Sequence, residues 1–132
     1  MPGVFVPEPV KITGYIAGED LTGCQYCFVK RSAANTVVKG AADTDLCIGV
    51  LYNEPYTGEP CEIVPPGQVC MLKVDGNASA ITAGMRLVSD AAGVGHYSVT
   101  NLKRSQGMAL DDSSADGDII AFAFIPSDIS LT

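Results

Sequence analysis

The chain has 132 residues, enough for one domain with its own hydrophobic core. Apolar residues make up 47% of it, which excludes wholesale disorder, and the formal net charge of −7 argues against general nucleic-acid binding. A single histidine and the lack of tryptophan leave little material for histidine-based catalysis or a multi-histidine metal site.

Residues 1–13 are predicted to form an extended arm. Prolines at positions 2, 7 and 9 lack an amide donor, which disfavours both a helix and a central strand. The apolar residues between them still need a surface to cover, and arms of this kind can add to an exposed sheet edge. The candidate contact residues of the arm are Val4, Phe5, Val6, Val10 and Ile12.

Residues 14–126 are predicted to form the folded domain, followed by a C-terminal tail over 127–132. Short β-type segments alternate with turn residues, at the spacing of about 8–12 residues that is typical of sandwiches and small barrels. We therefore expect an all-β fold, a small antiparallel β-barrel or sandwich with little helix. The predicted strands are Cys24–Lys30, Val37–Lys39, Leu46–Tyr52, Cys61–Val64, Val69–Val74, Met85–Val88, His96–Val99, Gly107–Leu110 and Asp118–Ile125.

The segment Val69–Val74 shows the clearest alternation. Cys70, Leu72 and Val74 share one face of a strand, and this uniformly apolar face is expected to point into the core.

Five cysteines stand in a sequence with no recognisable export signal and no apolar stretch near the ~20 residues of a membrane helix. They are expected to be reduced and mostly buried, in a protein made in a cytoplasm. Cys24-x-x-Cys27 invites a zinc or redox interpretation, but on a strand the two thiols would point to opposite faces. We expect no metal site and no cofactor.

Other catalytic or binding patterns fail on inspection. The segment 112–117 resembles the start of a calcium loop, but the twelfth position, where the loop needs a glutamate, is Ala123. There is no Gly-x-Ser-x-Gly motif and no phosphate-binding glycine loop. The sequence therefore predicts a protein that is not an enzyme.

Five motifs follow one another in a characteristic order. They are Ile-Gly-Val within Lys39–Val50, the glycine turn and short strand of Tyr56–Val64, Ala-Gly-Met-Arg-Leu within Ala83–Gly93, Gly-Met-Ala-Leu at Gly107–Leu110, and Ala-Asp-Gly-Asp within Ala115–Phe122. Over residues 13–125, their order and spacing resemble the capsid cement, or head decoration, proteins of tailed bacteriophages.

This resemblance implies a non-enzymatic protein on the outer capsid surface of the virion, made in the host bacterial cytoplasm. It would bind the major capsid protein at capsomer junctions and oppose the pressure of packaged DNA. Copies of itself, as a trimer or dimer, would be further partners, with no nucleic acid and no membrane. The arm residues then become capsid or inter-subunit contacts, the alternative being that the arm covers its own barrel.

Two other functions remain open at this point. A small-ligand or carbohydrate-binding β-module of a phage structural protein predicts clustered exposed aromatics, whereas the 4 Phe and 5 Tyr are spread along the chain. A thiol oxidoreductase needs an accessible, low-pKa cysteine. Lys30 and Arg31 lie near Cys27, but no helix start does.

Overall fold

All regular secondary structure in the described part of the chain is β-strand. The computed structural model describes residues 6–45, 47–97 and 105–126, and within them no helix is long and apolar enough to cross a membrane. The all-β prediction is confirmed, and each predicted strand overlaps an observed one. The strands are β1 (Ile16–Ala17), β2 (Phe28–Ala33), β3 (Thr36–Lys39), β4 (Cys47–Leu51), β5 (Ile63–Val64), β6 (Val69–Asp75), β7 (Arg86–Ser89), β8 (Gly95–His96), β9 (Gly107–Ala109) and β10 (Asp116–Ala123).

The C-terminal half forms a closed barrel in the order β10-β6-β8-β7-β9. Its longest ladder joins β6 to β10 in antiparallel fashion, from Val69 opposite Ala123 to Asp75 opposite Asp116. The predicted alternation of β6 is confirmed, because every second side chain of the strand is buried. Each of these five strands pairs with two others, so none of them lies at the edge of the sheet.

The N-terminal half forms a curled sheet in the order β1-β3-β2-β4-β5. Its central hairpin joins β2 and β3, in which Ala33 lies opposite Thr36. The two turn residues between them end in Asn35, whose φ of 60° lies in the left-handed region that asparagine tolerates. This turn lets β2 continue three residues past the predicted end at Lys30.

Residues 12–17 close the curled sheet. Ile12 and Ile63 exchange both backbone hydrogen bonds, at 2.8 and 3.1 Å, while the Ile16 amide donates to the Asn35 carbonyl at 2.8 Å. The segment is thus bonded to β5 on one side and to the β2–β3 hairpin on the other. We call residues 12–17, together with the paired residues 60–63, the seam. Its short strand β1 is absent from the sequence prediction.

The curled sheet supplies two hydrophobic cores because its strands alternate. One face lines the inside of the curl, and the other packs on the barrel. Phe28 from the sheet meets Phe122 of β10 edge to face, with ring centroids 5.7 Å apart. The inner core contains Ala17, Leu21, Val29, Val37, Leu51, Cys61 and Ile63. From the sheet, Phe28, Cys47, Val50 and Val64 join the barrel core.

The predicted strand over Cys24–Lys30 is wrong in its first half, since β2 begins at Phe28. The Cys27 amide donates to the Cys24 carbonyl at 3.0 Å, which makes residues 24–27 a turn. Tyr26 has a φ of 68°, and hydrogen bonds hold it there: its amide donates to Leu51 and its carbonyl accepts from Lys73. The predicted divergence of the two thiols on a strand therefore has no structural basis.

Candidate interaction surface

The described part of the arm, residues 6–12, lies against its own domain. The Gln68 side chain bonds to Val10 as the backbone of a neighbouring strand would. Its Oε1 accepts from the Val10 amide at 2.7 Å, and its Nε2 donates to the Val10 carbonyl at 2.9 Å. Two residues later, Ile12 begins the pairing with Ile63. The arm is thereby aligned with the seam.

Two tyrosines form the platform on which the arm rests. Tyr26 and Tyr52 pack edge to face, with centroids 6.0 Å apart. The Tyr52 hydroxyl donates to the Glu8 carboxylate at 3.2 Å, and the Lys11 ammonium lies 4.3 Å from the Tyr52 ring centroid. Lys11 also pairs with Glu8. Hydrogen bonding to Lys11, the charge of Lys11 and the Tyr52 hydroxyl together lower the pKa of Glu8.

A small cavity remains between the arm and this platform. Its volume is about 110 Å³, below the range of roughly 300–1,000 Å³ typical of small-molecule sites. The dimensions fit a gap under a packed segment better than a sugar site. The lining residues are Val6, Pro7, Glu8, Pro9, Tyr26, Tyr52 and Met71.

Exposed apolar side chains are concentrated along the seam. Among the described residues, the large hydrophobic side chains left exposed are Val10 (69%), Ile12 (37%), Ile16 (43%), Tyr56 (64%), Met108 (37%) and Ile125 (59%). All except Met108 follow the seam or its two ends. We call these five residues, Val10, Ile12, Ile16, Tyr56 and Ile125, the apolar strip.

The backbone pairing places these residues along one path. The chain from Val10 to Ile16 runs antiparallel to the chain from Gln68 to Pro60, with Ile16 bridged to Pro60. Ile125 extends one end of this path, since the preceding residue, Phe124, donates to the Gln68 carbonyl.

The other end of the path is the turn that carries Tyr56. Gly58, two residues further on, donates its amide to Ala17 of β1 at 2.8 Å. From Val10 to Ile16 alone, an extended chain spans about 20 Å. The apolar strip is therefore long enough to contact a protein surface.

The residues proposed from the sequence divide between three places. Val4 and Phe5 lie outside the described residues, as does the predicted tail 127–132. Val6 is half-buried beside the small cavity, whereas Val10 and Ile12 are exposed in the apolar strip. The strip members absent from that proposal carry no strong sequence signal. Ile16 stands in a two-residue strand, Tyr56 in a turn, and Ile125 just after β10, inside the predicted strand.

Polar groups in and next to the segment 112–117, which resembles the start of a calcium loop, serve the fold. The Asp112 carboxylate accepts from the Ala83 amide at 2.8 Å, and the Ser113 hydroxyl donates to Asp118 at 2.8 Å. Over the described ranges, no group of three or more His, Cys, Asp or Glu residues is placed to hold a metal ion.

Comparison with known proteins shows a shared fold. No protein-family model matches the chain, and no curated protein matches it in sequence. Among solved structures, it is similar to the N base of the head fiber gp8.5 in bacteriophage phi29, with a TM-score of 0.66 and 16% sequence identity. The match covers 93% of this chain and 98% of that one. The likeness therefore extends over both sheets.

Proposed function

We propose that this chain is a non-enzymatic structural protein of a tailed-phage head. It binds the outer capsid surface at capsomer junctions and stabilises the shell against the pressure of packaged DNA. The observation that carries the proposal is the shared fold with a head-fiber base over 93% of the chain. The order of sequence motifs, which resembles that of capsid cement proteins, supports the finer statement about cementing.

The apolar strip is the proposed contact with the major capsid protein or with another copy of the chain. Large exposed apolar side chains that follow one path are a candidate interaction site, because exposed apolar patches commonly mark one. A protein present in many copies on a symmetric shell needs only a modest affinity per contact. Binding across a boundary between capsomers also raises the free energy needed to separate them.

The negative charge around Tyr56 indicates which charge the partner surface is expected to carry. Glu54, Glu59 and Glu62 lie together along an open groove beside the Tyr56 turn. Such a rim favours a basic partner surface and raises the rate of association with it. The capsid patch that receives this end of the strip is expected to carry lysine or arginine.

Copy number in purified particles tests the proposal directly. Phage particles are purified on a density gradient, and this chain is quantified against the major capsid protein. A ratio near one, or a simple fraction of it, supports lattice binding. Absence from intact particles overturns the proposed function.

A matched pair of variants tests the role of the strip. Ile12 and Met108 are equally exposed, at 37% each, but only Ile12 belongs to the strip. Ile12→Asp is expected to weaken binding to heads that lack the protein by about tenfold or more, as the loss of an interface hot spot does. Met108→Asp is the control and is expected to bind like the unmodified chain. Equal binding by both variants contradicts the contact assignment.

A further inference from the structure

Cys24 and Cys27 share one tight turn. The hydrogen bond from the Cys27 amide to the Cys24 carbonyl, 3.0 Å long, closes a four-residue β-turn. The first and last Cα atoms of such a turn lie within about 7 Å. A disulfide requires a Cα separation of about 4.4–6.8 Å. The backbone turn therefore brings the two Cα atoms close to the separation that a disulfide spans.

The two thiols differ in their access to solvent. Cys24 is half-buried, whereas Cys27 is 1% exposed. Burial raises the pKa of the Cys27 thiol to about 12, and the neighbouring Cys24 side chain raises it too. Chemistry at the pair therefore begins at Cys24, with Cys27 as the buried second partner.

The other three cysteines differ from Cys24 in that they are buried in the hydrophobic cores. Cys47 and Cys70 lie in the barrel core and Cys61 lies in the core of the curled sheet, each 6% exposed or less. Burial raises the pKa of Cys47 and Cys70 to about 12. These thiols provide an internal comparison for the pair.

We infer that Cys24 and Cys27 form a reversible intramolecular disulfide, with a small-molecule disulfide such as oxidised glutathione as the oxidant. The Cys24 thiolate attacks one glutathione sulfur, which breaks the glutathione S–S bond and releases one glutathione thiolate. Cys27 then loses its proton and attacks the Cys24 sulfur, releasing the second glutathione. The two cysteines lose two protons and two electrons, and one oxidised glutathione becomes two reduced molecules.

The position of the turn gives this bond a structural consequence. The turn joins the two sheets: the Tyr26 amide donates to Leu51 of β4, and the Lys73 amide of β6 donates to the Tyr26 carbonyl at 2.8 Å. The Lys73 ammonium also donates to the Gly23 carbonyl at 3.3 Å. Oxidation therefore fixes the connection between the curled sheet and the barrel, and the Lys73 amide is expected to exchange more slowly with deuterium.

The test uses the full-length native protein with excess oxidised glutathione, followed by intact mass and peptide mapping. The expected product is about 2 Da lighter than the reduced chain and carries its bond between Cys24 and Cys27. Dithiothreitol is expected to reverse the change. A lasting glutathione adduct on Cys24, a bond to another cysteine, or no reaction overturns the inference.

Variants separate the pair from the remaining thiols. Cys24→Ser, at the half-buried position, is expected to abolish the mass loss while leaving the fold intact. Cys27→Ser is expected to stop the reaction at the glutathione adduct on Cys24. Cys61→Ala is the control and is expected to oxidise like the unmodified chain. Since these readouts need no phage particle, their outcome is independent of the proposed function.

Discussion

The curled sheet and the barrel close in different ways. In the barrel, each of the five strands pairs with two others, although β6 and β8 meet only at the pair of Val74 and Gly95. In the curled sheet, residues 12–17 complete the circle through single bridges and the two-residue strand β1. Of the six large apolar side chains exposed among the described residues, the barrel strands carry one, Met108.

This difference in closure explains which half of the molecule exposes apolar side chains to a partner. The barrel is closed by pairing among its own strands and turns its apolar side chains inward, which leaves little exposed apolar surface for a partner. The segment that closes the curled sheet is hydrogen-bonded through its backbone but leaves the side chains of Val10, Ile12 and Ile16 exposed.

The largest expected effect is the loss of stability when the barrel core is altered. Phe122 is fully buried, and its ring lies 5.7 and 5.8 Å from those of Phe28 and Phe124. Phe122→Ala is expected to lower the free energy of unfolding by about 3–5 kcal/mol, through lost burial and a residual cavity. Urea denaturation measures this. A loss under about 1 kcal/mol would show that the three rings do not form the stabilising centre.

A smaller effect is expected where the curled sheet is most tightly packed. A Cβ at Gly49 of β4 would lie 2.2 Å from an Ile63 methyl group and 2.7 Å from the Val64 carbonyl oxygen. Gly49→Ala is expected to cost about 1–3 kcal/mol, because β5 must move away. Gly23→Ala, with nothing within 4 Å, is the control variant. Equal stability of the two variants contradicts the expected clash.

A local effect is expected at the seam. Gln68→Ala removes both side-chain hydrogen bonds to Val10, each worth about 0.5–1.5 kcal/mol at most. The Val10 amide should then exchange about tenfold faster with deuterium, with the amides of β6 unchanged. Equal acceleration in β6 would show that the arm and the barrel open together.

The smallest expected effect is a pH dependence of the arm. Since the pKa of Glu8 lies below its usual value of 4.5 in the folded protein, its contact with Lys11 and Tyr52 favours the docked arm above pH 4.5. The contact is lost as the pH falls through the lowered pKa. Limited proteolysis of the arm is expected to accelerate over that range. Glu8→Gln is expected to remove the pH dependence.

The sequence predicts the parts of the fold that depend on neighbours along the chain. The alternation of Cys70, Leu72 and Val74 predicts the core face of β6, because a strand buries every second residue. The turn after β6 follows from Asp75-Gly76-Asn77 for the same local reason.

Features that depend on contacts between residues far apart in the sequence cannot be predicted in this way. The turn at Cys24–Cys27 is fixed by Leu51 and Lys73, and the seam pairs Ile12 with a residue 51 positions away in the sequence, Ile63. At the candidate site, the sequence proposes Val10 and Ile12 through their place in the proline-rich arm. Ile16, Tyr56 and Ile125 join them only through pairing across the seam.

The order of the strands along the chain has a consequence for synthesis. The curled sheet uses residues up to 64, so it can close before the barrel strands, which follow it in the sequence, have left the ribosome. Its outer face, with Phe28, Val50 and Val64, belongs to the barrel core and stays uncovered until those strands emerge. The nascent chain thus exposes an apolar face between the two stages, and a chaperone that shields this face would raise the yield of folded product.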